Sequence, residues 1–359
     1  ITAFVKSFVL AKAGEYAVAH QLIQNYEGPF RNEIQMTLNS KMDFKAQEIY
    51  DEVSTKFSLK LIDGQLNINS SNARVAHYLL NNLLTNYGDC SFIKTQTTQL
   101  NLLIKALGKQ FKRINAPQLF VSPHGSYQQA SLREAINNTK IEYIFLLPGD
   151  YDQTIRLTRG DLKIFGCLGS KFTQGLSLAN DRIHLKQIQF PTGDLLLEST
   201  VSRARIENCF LENGGIQLSR SNNDILINNC FFVGLSLSDC KRIELVNCTI
   251  LESSMENART KTCIRGPFEG SINNCIVYAK SGYALISNKE DKAKYDVRYS
   301  LLFGQAGTLR YSDRNSQTTQ KEFDSSISRF YKSISQSAKF GDADHPYNLQ
   351  RFSPGHLSG

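Results

Sequence analysis

The sequence predicts a mainly β protein: a parallel solenoid of about seven to eight short coils, preceded by an α-helical domain. Three observations lead there. Ile-Glu-Asn-Cys-Phe-Leu (206–211) returns as Ile-Asn-Asn-Cys-Phe-Phe (227–232), Leu-Val-Asn-Cys-Thr-Ile (245–250) and Ile-Asn-Asn-Cys-Ile-Val (272–277). A second set of short apolar segments keeps the same period between those copies. The first third of the chain has helical periodicity instead.

In the repeat, Asn208, Asn229, Asn247 and Asn274 are 21, 18 and 27 residues apart. Spacings near 20 that stretch by a few residues describe a coil with constant strands and variable loops. Each copy alternates apolar and polar residues, bends at Asn, and continues with a small Cys and another apolar residue. That is a short strand, a sharp bend and a second strand. Stacked coils place each Asn amide over the next. Cys209, Cys230, Cys248 and Cys275 then fill the narrow interior as small apolar groups. Neighbouring coils lie about 4.8 Å apart with parallel Cβ vectors, an awkward geometry for a disulfide, so these four are expected to be buried free thiols.

The second register reads Leu176-Ser177-Leu178, Leu195-Leu196-Leu197, Ile216-Gln217-Leu218, Leu235-Ser236-Leu237, Thr262-Cys263-Ile264, Ala284-Leu285-Ile286 and Leu309-Arg310-Tyr311. Independent strand sets on one period are what a parallel solenoid requires, each coil pairing with its neighbours.

Residues 118–359 resemble the right-handed parallel β-helix family, the pectin-lyase-like superfamily. Besides the repeats, the likeness rests on Leu132 to Asn137 followed by Ile144 to Tyr151 with its Pro148-Gly149 turn, on Leu162 to Gly166, and on Asn348 to Gly355 near the end. The resemblance implies a single-stranded, right-handed parallel β-helix with a capping helix at 131–138. It implies no particular activity, because the fold hosts many unrelated functions.

Residues 1–117 show helical periodicity over Phe4 to Tyr26, Phe44 to Phe57, Ala73 to Tyr87 and Thr95 to Phe111. Lys12 to Ala19 resembles the hairpin turn of a tetratricopeptide-like unit. Asp63-Gly64 between short apolar runs is a turn signal and predicts a β-hairpin at 57–69. A helical domain at the start of a solenoid has a rationale in covering the exposed edge of the first coil.

The 359 residues carry a net charge of +8 with a pI near 9.0, which fits an acidic partner such as an anionic glycan. Nucleic acid is not the expected partner. No apolar run reaches about 18 residues, so no segment reads as a membrane span. The chain begins at Ile1, so a trimmed product is expected, with an extracytoplasmic location favoured. There is no Cys-x-x-Cys pair and no His-Glu-x-x-His, so no metal is expected.

Known enzymes of the resembled family cleave or modify acidic polysaccharides, which implies clustered carboxylates on one outer strand row, with Ca²⁺ if the chemistry is that of a lyase. The middle, outward residues of the second register are read as Ser177, Leu196, Gln217, Ser236, Cys263, Leu285 and Arg310, a row without a carboxylate. Asp194, Glu198, Asp239 and Arg265 flank it and are the catalytic candidates. Gln217, Ser219, Ser236, Ser238 and Arg310 are the binding candidates. The expected function is a non-catalytic structural or binding component of an extracytoplasmic assembly, its helical domain docking a protein partner and no cofactor being needed. The alternatives are a lyase or hydrolase acting on acidic glycans and a glycan-binding module.

Overall fold

In the computed structural model the described residues are 2–24, 31–62, 65–123, 130–152, 154–219, 224–238, 240–253, 261–266, 268–287, 294–312, 317–320 and 333. The catalytic candidate Asp239 and the closing segment Asn348 to Gly355 lie outside them, as does the Asp63-Gly64 turn. The chain divides into two compact units, Ile1–Asn115 and Ala116–Gly359.

The first unit is helical: α1 (Thr2–Lys12), α2 (Tyr16–Gln24), α3 (Arg31–Lys56), α4 (Ser70–Tyr87) and α5 (Ser91–Gly108). Gly14 ends the first hairpin at a φ of +82°, a conformation open to glycine. Helix α3 starts well before the predicted Phe44. Leu38, Met42, Ala46 and Val53 recur every four or seven residues along it and are its buried face. Asn69 caps α4 by accepting the Asn72 backbone N–H at 2.9 Å. Within the span 57–69, where the sequence predicts a hairpin, the described residues include an antiparallel bridge, Ile62 with Gln65.

The second unit is a parallel β-solenoid of about eight turns. Among the described residues its three sheets have ten, eight and nine strands, and each strand pairs in parallel with the strand one coil away. The antiparallel strand Gln317–Gln320 at the end of the third sheet is the exception. Crossovers between parallel strands of one sheet wind right-handed in nearly all proteins. The Asn-Cys repeat supplies the first and second sheets, and the second register supplies the third.

Each coil turns at fixed corners for a stereochemical reason. Between the first and second sheets, Gln187, Asn208, Asn229, Asn247, Asn274 and Tyr299 take left-handed backbone conformations, with φ from +50° to +57°. Asparagine visits this region more readily than other residues with a side chain, so it recurs there. Behind it the interior is narrow. The Cys209 N–H donates to the Cys230 sulfur at 3.4 Å, Cys248 to Cys275 at 3.3 Å, and Cys275 to the Ser300 hydroxyl at 2.9 Å. All eight cysteines are buried and unbridged. Burial pushes the Cys230, Cys263 and Cys275 thiols up, so they remain neutral apolar fillers.

One continuous core runs the length of the solenoid, and helix α6 (Leu132–Asn137) belongs to it through Leu132, Ala135 and Ile136. A capping box holds α6: the Glu134 N–H donates to the Ser131 hydroxyl, and the Ser131 N–H donates to the Glu134 carboxylate at 2.7 Å. The Pro148-Gly149 turn feeds Tyr151 into the core, where its hydroxyl donates to the Val121 and Leu147 carbonyls at 2.8 and 3.0 Å.

Backbone pairing corrects the predicted second register. Leu235 pairs with Ile264, and Ile264 with Leu285. Thr262-Cys263-Ile264 therefore enters two residues out of the expected phase, and Ala284-Leu285-Ile286 one residue out. Cys263 and Leu285 are fully buried; Arg265 and Ile286 take their places in the row.

Candidate functional site on the outer face of the third sheet

With that correction, the outward row of the third sheet reads Arg156, Ser177, Leu196, Gln217, Ser236, Arg265, Ile286 and Arg310, one residue per coil at about 4.8 Å. The side chain of Arg310 lies outside the described ones. Ser219 and Ser238 follow directly on their strands, beside the row. Three coils in the middle enclose a depression of about 80 Å³, whose polar lining comes from Gln217, Ser236, Ser253, Lys261 and Arg265. Glycine makes it possible. A Cβ on Gly234, which has a φ of +85°, would come within 2.8 Å of Ser253.

The flanking carboxylates diverge. Asp194 turns toward the following coil, where it accepts the Gly215 N–H at 2.7 Å and the Gln217 amide at 2.8 Å. Glu198 turns back across two coils, accepting two bonds from the Arg156 guanidinium at 2.6 Å and one from the Ser177 hydroxyl at 2.6 Å. The two residues stand at opposite ends of the strand Leu195–Leu197, about 13 Å of extended backbone apart. Among the described residues no group of three or more His, Cys, Asp or Glu side chains could hold a metal ion. No described helix is long and apolar enough to cross a membrane.

Carboxylates elsewhere on the solenoid also join coils. Asp161 pairs with Arg182, Asp181 with Arg203 and Asp224 with Arg242 along the corner that leads into the first sheet. The Arg156 guanidinium and the Ser177 hydroxyl hold the Glu198 carboxyl down to about 2, from 4.5. Its folded-state pKa therefore lies below the unfolded one. The stabilisation is complete above about pH 4.5 and is lost as pH falls toward about 2. Glu198→Gln is expected to lower the melting temperature modestly at neutral pH, by an amount limited by the exposure of the ion pair, and to match the wild type near pH 2, so that the pH dependence across that window flattens. Thermal melts of both proteins at a series of pH values check this.

The first sheet carries a cluster that the sequence reading missed. Tyr143, Lys163, His184 and Arg205 follow one another outward on four coils. The Lys163 ammonium donates to the Tyr143 hydroxyl at 2.9 Å, Phe165 packs edge-on against His184, and a His184 ring nitrogen lies 2.9 Å from the Glu207 carboxylate. Burial pulls the His184 pKa below its usual value, against the opposing pull of Glu207. The signal was present in the alternation of Ile-His-Leu-Lys (183–186) and Ala-Arg-Ile-Glu (204–207), one coil apart.

These sheets and corners define a three-sheet parallel β-helix protein. Among solved structures the chain is similar to the pectin methylesterase PemA from Erwinia chrysanthemi, with 11% identity and a TM-score of 0.41 over 69% of this chain and 98% of that one. It is also similar to a pectin methylesterase in complex with hexasaccharide VII, with 11% identity and a TM-score of 0.38 over the same shares. At these scores the likeness carries no inference about chemistry. No protein-family model matches the chain. No curated protein matches it either.

Proposed function

We propose that this chain is a non-catalytic binding solenoid, a component of an extracytoplasmic assembly. It holds an acidic glycan along the outer face of its third sheet, and its helical unit docks a protein partner. The divergence of Asp194 and Glu198 carries the reading. Acid–base catalysis needs groups that converge on one reacting atom, and these two are spent on opposite neighbours. Arg265 and Lys261 beside Gln217 and Ser236, together with the net charge of +8, supply the attraction for a polyanion. A second reading, an enzyme acting on acidic glycans, draws support from the His184–Glu207 pair, where an imidazole is oriented by a carboxylate.

The test is titration of the full chain with polygalacturonate and with alginate at low and at high salt. Binding at low salt is expected, weakened by salt and by Arg265→Ala or Lys261→Ala by several-fold. Absence of binding at low salt, or binding that these substitutions leave unchanged, contradicts the proposal.

A further inference from the structure

A larger recess lies along the corner between the first and second sheets. It holds about 260 Å³ and is lined chiefly by Asn229, Asn247, Asn274, Thr249, Ile276 and Tyr299. It shares no residue with the depression on the third sheet. Three features set its chemistry.

The first is a column of carboxamides. Asn229 donates to Asn208 at 2.7 Å, Asn274 donates to Asn247 at 2.7 Å, and Asn247 reaches Asn228 at 3.5 Å. A carboxamide carries two N–H donors and two acceptor lone pairs, and each of these bonds uses one N–H. Every rung therefore keeps a second donor. All three lining asparagines are exposed, and successive rungs lie about 4.8 Å apart.

The second is the absence of charge. Among the described residues the lining contains no ammonium, guanidinium or carboxylate group. The depression on the third sheet, by contrast, has Lys261 and Arg265. Groups that recognise by neutral hydrogen bonds alone select an uncharged polar ligand.

The third is Tyr299. It occupies the left-handed corner that asparagine fills in the four Asn-Cys coils, at a φ of +50° against +50° for Asn274 and +54° for Asn247. For a bulky residue that conformation is an outlier, so corner stability alone favours asparagine or glycine here. Its side chain is 42% exposed at the end of the recess. An aromatic face beside stacked amides matches a pyranose ring: the C–H face packs on the aromatic ring, and the hydroxyls meet the donors and acceptors. The volume lies just below the range of about 300–1,000 Å³ usual for drug-sized ligands, and it suits one sugar ring.

We infer that the recess along the asparagine column is a binding site for a neutral saccharide, with a pyranose against Tyr299 and its hydroxyls on Asn274 and Asn247. It is separate from the polyanion face and stands or falls independently of it.

The probe is a panel of neutral hexasaccharides of glucose, mannose and galactose, with hexagalacturonate as the charged control, titrated calorimetrically into the full chain. At least one neutral member is expected to bind. Tyr299→Asn gives the corner the residue its backbone favours, so the fold is retained, and binding is expected to weaken tenfold or more. Asn247→Gly also tolerates the corner and is expected to weaken binding, whereas Arg265→Ala leaves it unchanged. The inference is overturned if no neutral hexasaccharide binds, if Tyr299→Asn binds as the wild type does, or if only hexagalacturonate binds.

Discussion

Phe190→Ala is expected to destabilise the solenoid by about 3–5 kcal/mol, the usual cost of emptying a fully buried aromatic site. Phe190 is completely buried and stacks on Phe172 at 5.6 Å, which in turn packs on Tyr151 at 5.5 Å. The three rings come from consecutive coils, so each supports the one above and the one below. A coil held on both sides by parallel backbone ladders cannot collapse inward to close the cavity, which places the cost in the upper part of that range. Urea denaturation of the two proteins checks it. A loss below about 1 kcal/mol would mean that the ring is not part of a packed column.

Gly193→Ala is expected to be nearly as damaging, at about 2–5 kcal/mol, for backbone reasons. Gly193 has a φ of +83°, and a Cβ there would meet the Gly175 nitrogen at 2.6 Å and the Gln174 carbonyl carbon at 2.9 Å. Those atoms belong to the main chain of the preceding coil and cannot swing aside. The left-handed conformation itself costs alanine about 1–2 kcal/mol, and the forced separation of coils adds about 1–3 kcal/mol. Gly14→Ala separates the two contributions. Gly14 has nearly the same φ, +82°, with nothing within 4 Å of the added carbon, so only the smaller penalty is expected. Equal losses at the two positions would show that close coil packing at Gly193 is not the cause.

Much of the solenoid was legible because its corner stereochemistry repeats. Each left-handed corner selects asparagine and each narrow interior position behind it selects cysteine, so the backbone winding is written into Asn208-Cys209 and its copies. The third sheet was legible only where strands show clean alternation, as in Leu176-Ser177-Leu178 and Ile216-Gln217-Leu218. Thr262-Cys263-Ile264-Arg265 fits two phases one two-residue repeat apart, both with Ile264 inward, and the variable loop before it removes any count from the preceding coil. Ala284-Leu285-Ile286 is apolar throughout and carries no alternation. Pairing of the backbones decides both cases and brings Arg265 into the outward row.

The site was less legible for a similar reason. Sequence places Asp194 and Glu198 at the ends of one strand but does not say which neighbouring coil each carboxylate bonds. That choice is forward for Asp194 and backward for Glu198, so the two carboxylates turn toward different neighbouring coils. The His184–Glu207 contact runs diagonally between coils, and a reading by rows passes over it.

As proposed, this outer face binds without turnover. Its most direct test is prolonged incubation of the full chain with free and methyl-esterified acidic polysaccharides, following reducing ends, unsaturated products and released methanol. No product above the protein-free control is expected, even where the polymer is bound. Product formation that disappears in Asp194→Asn or Glu198→Gln would contradict it.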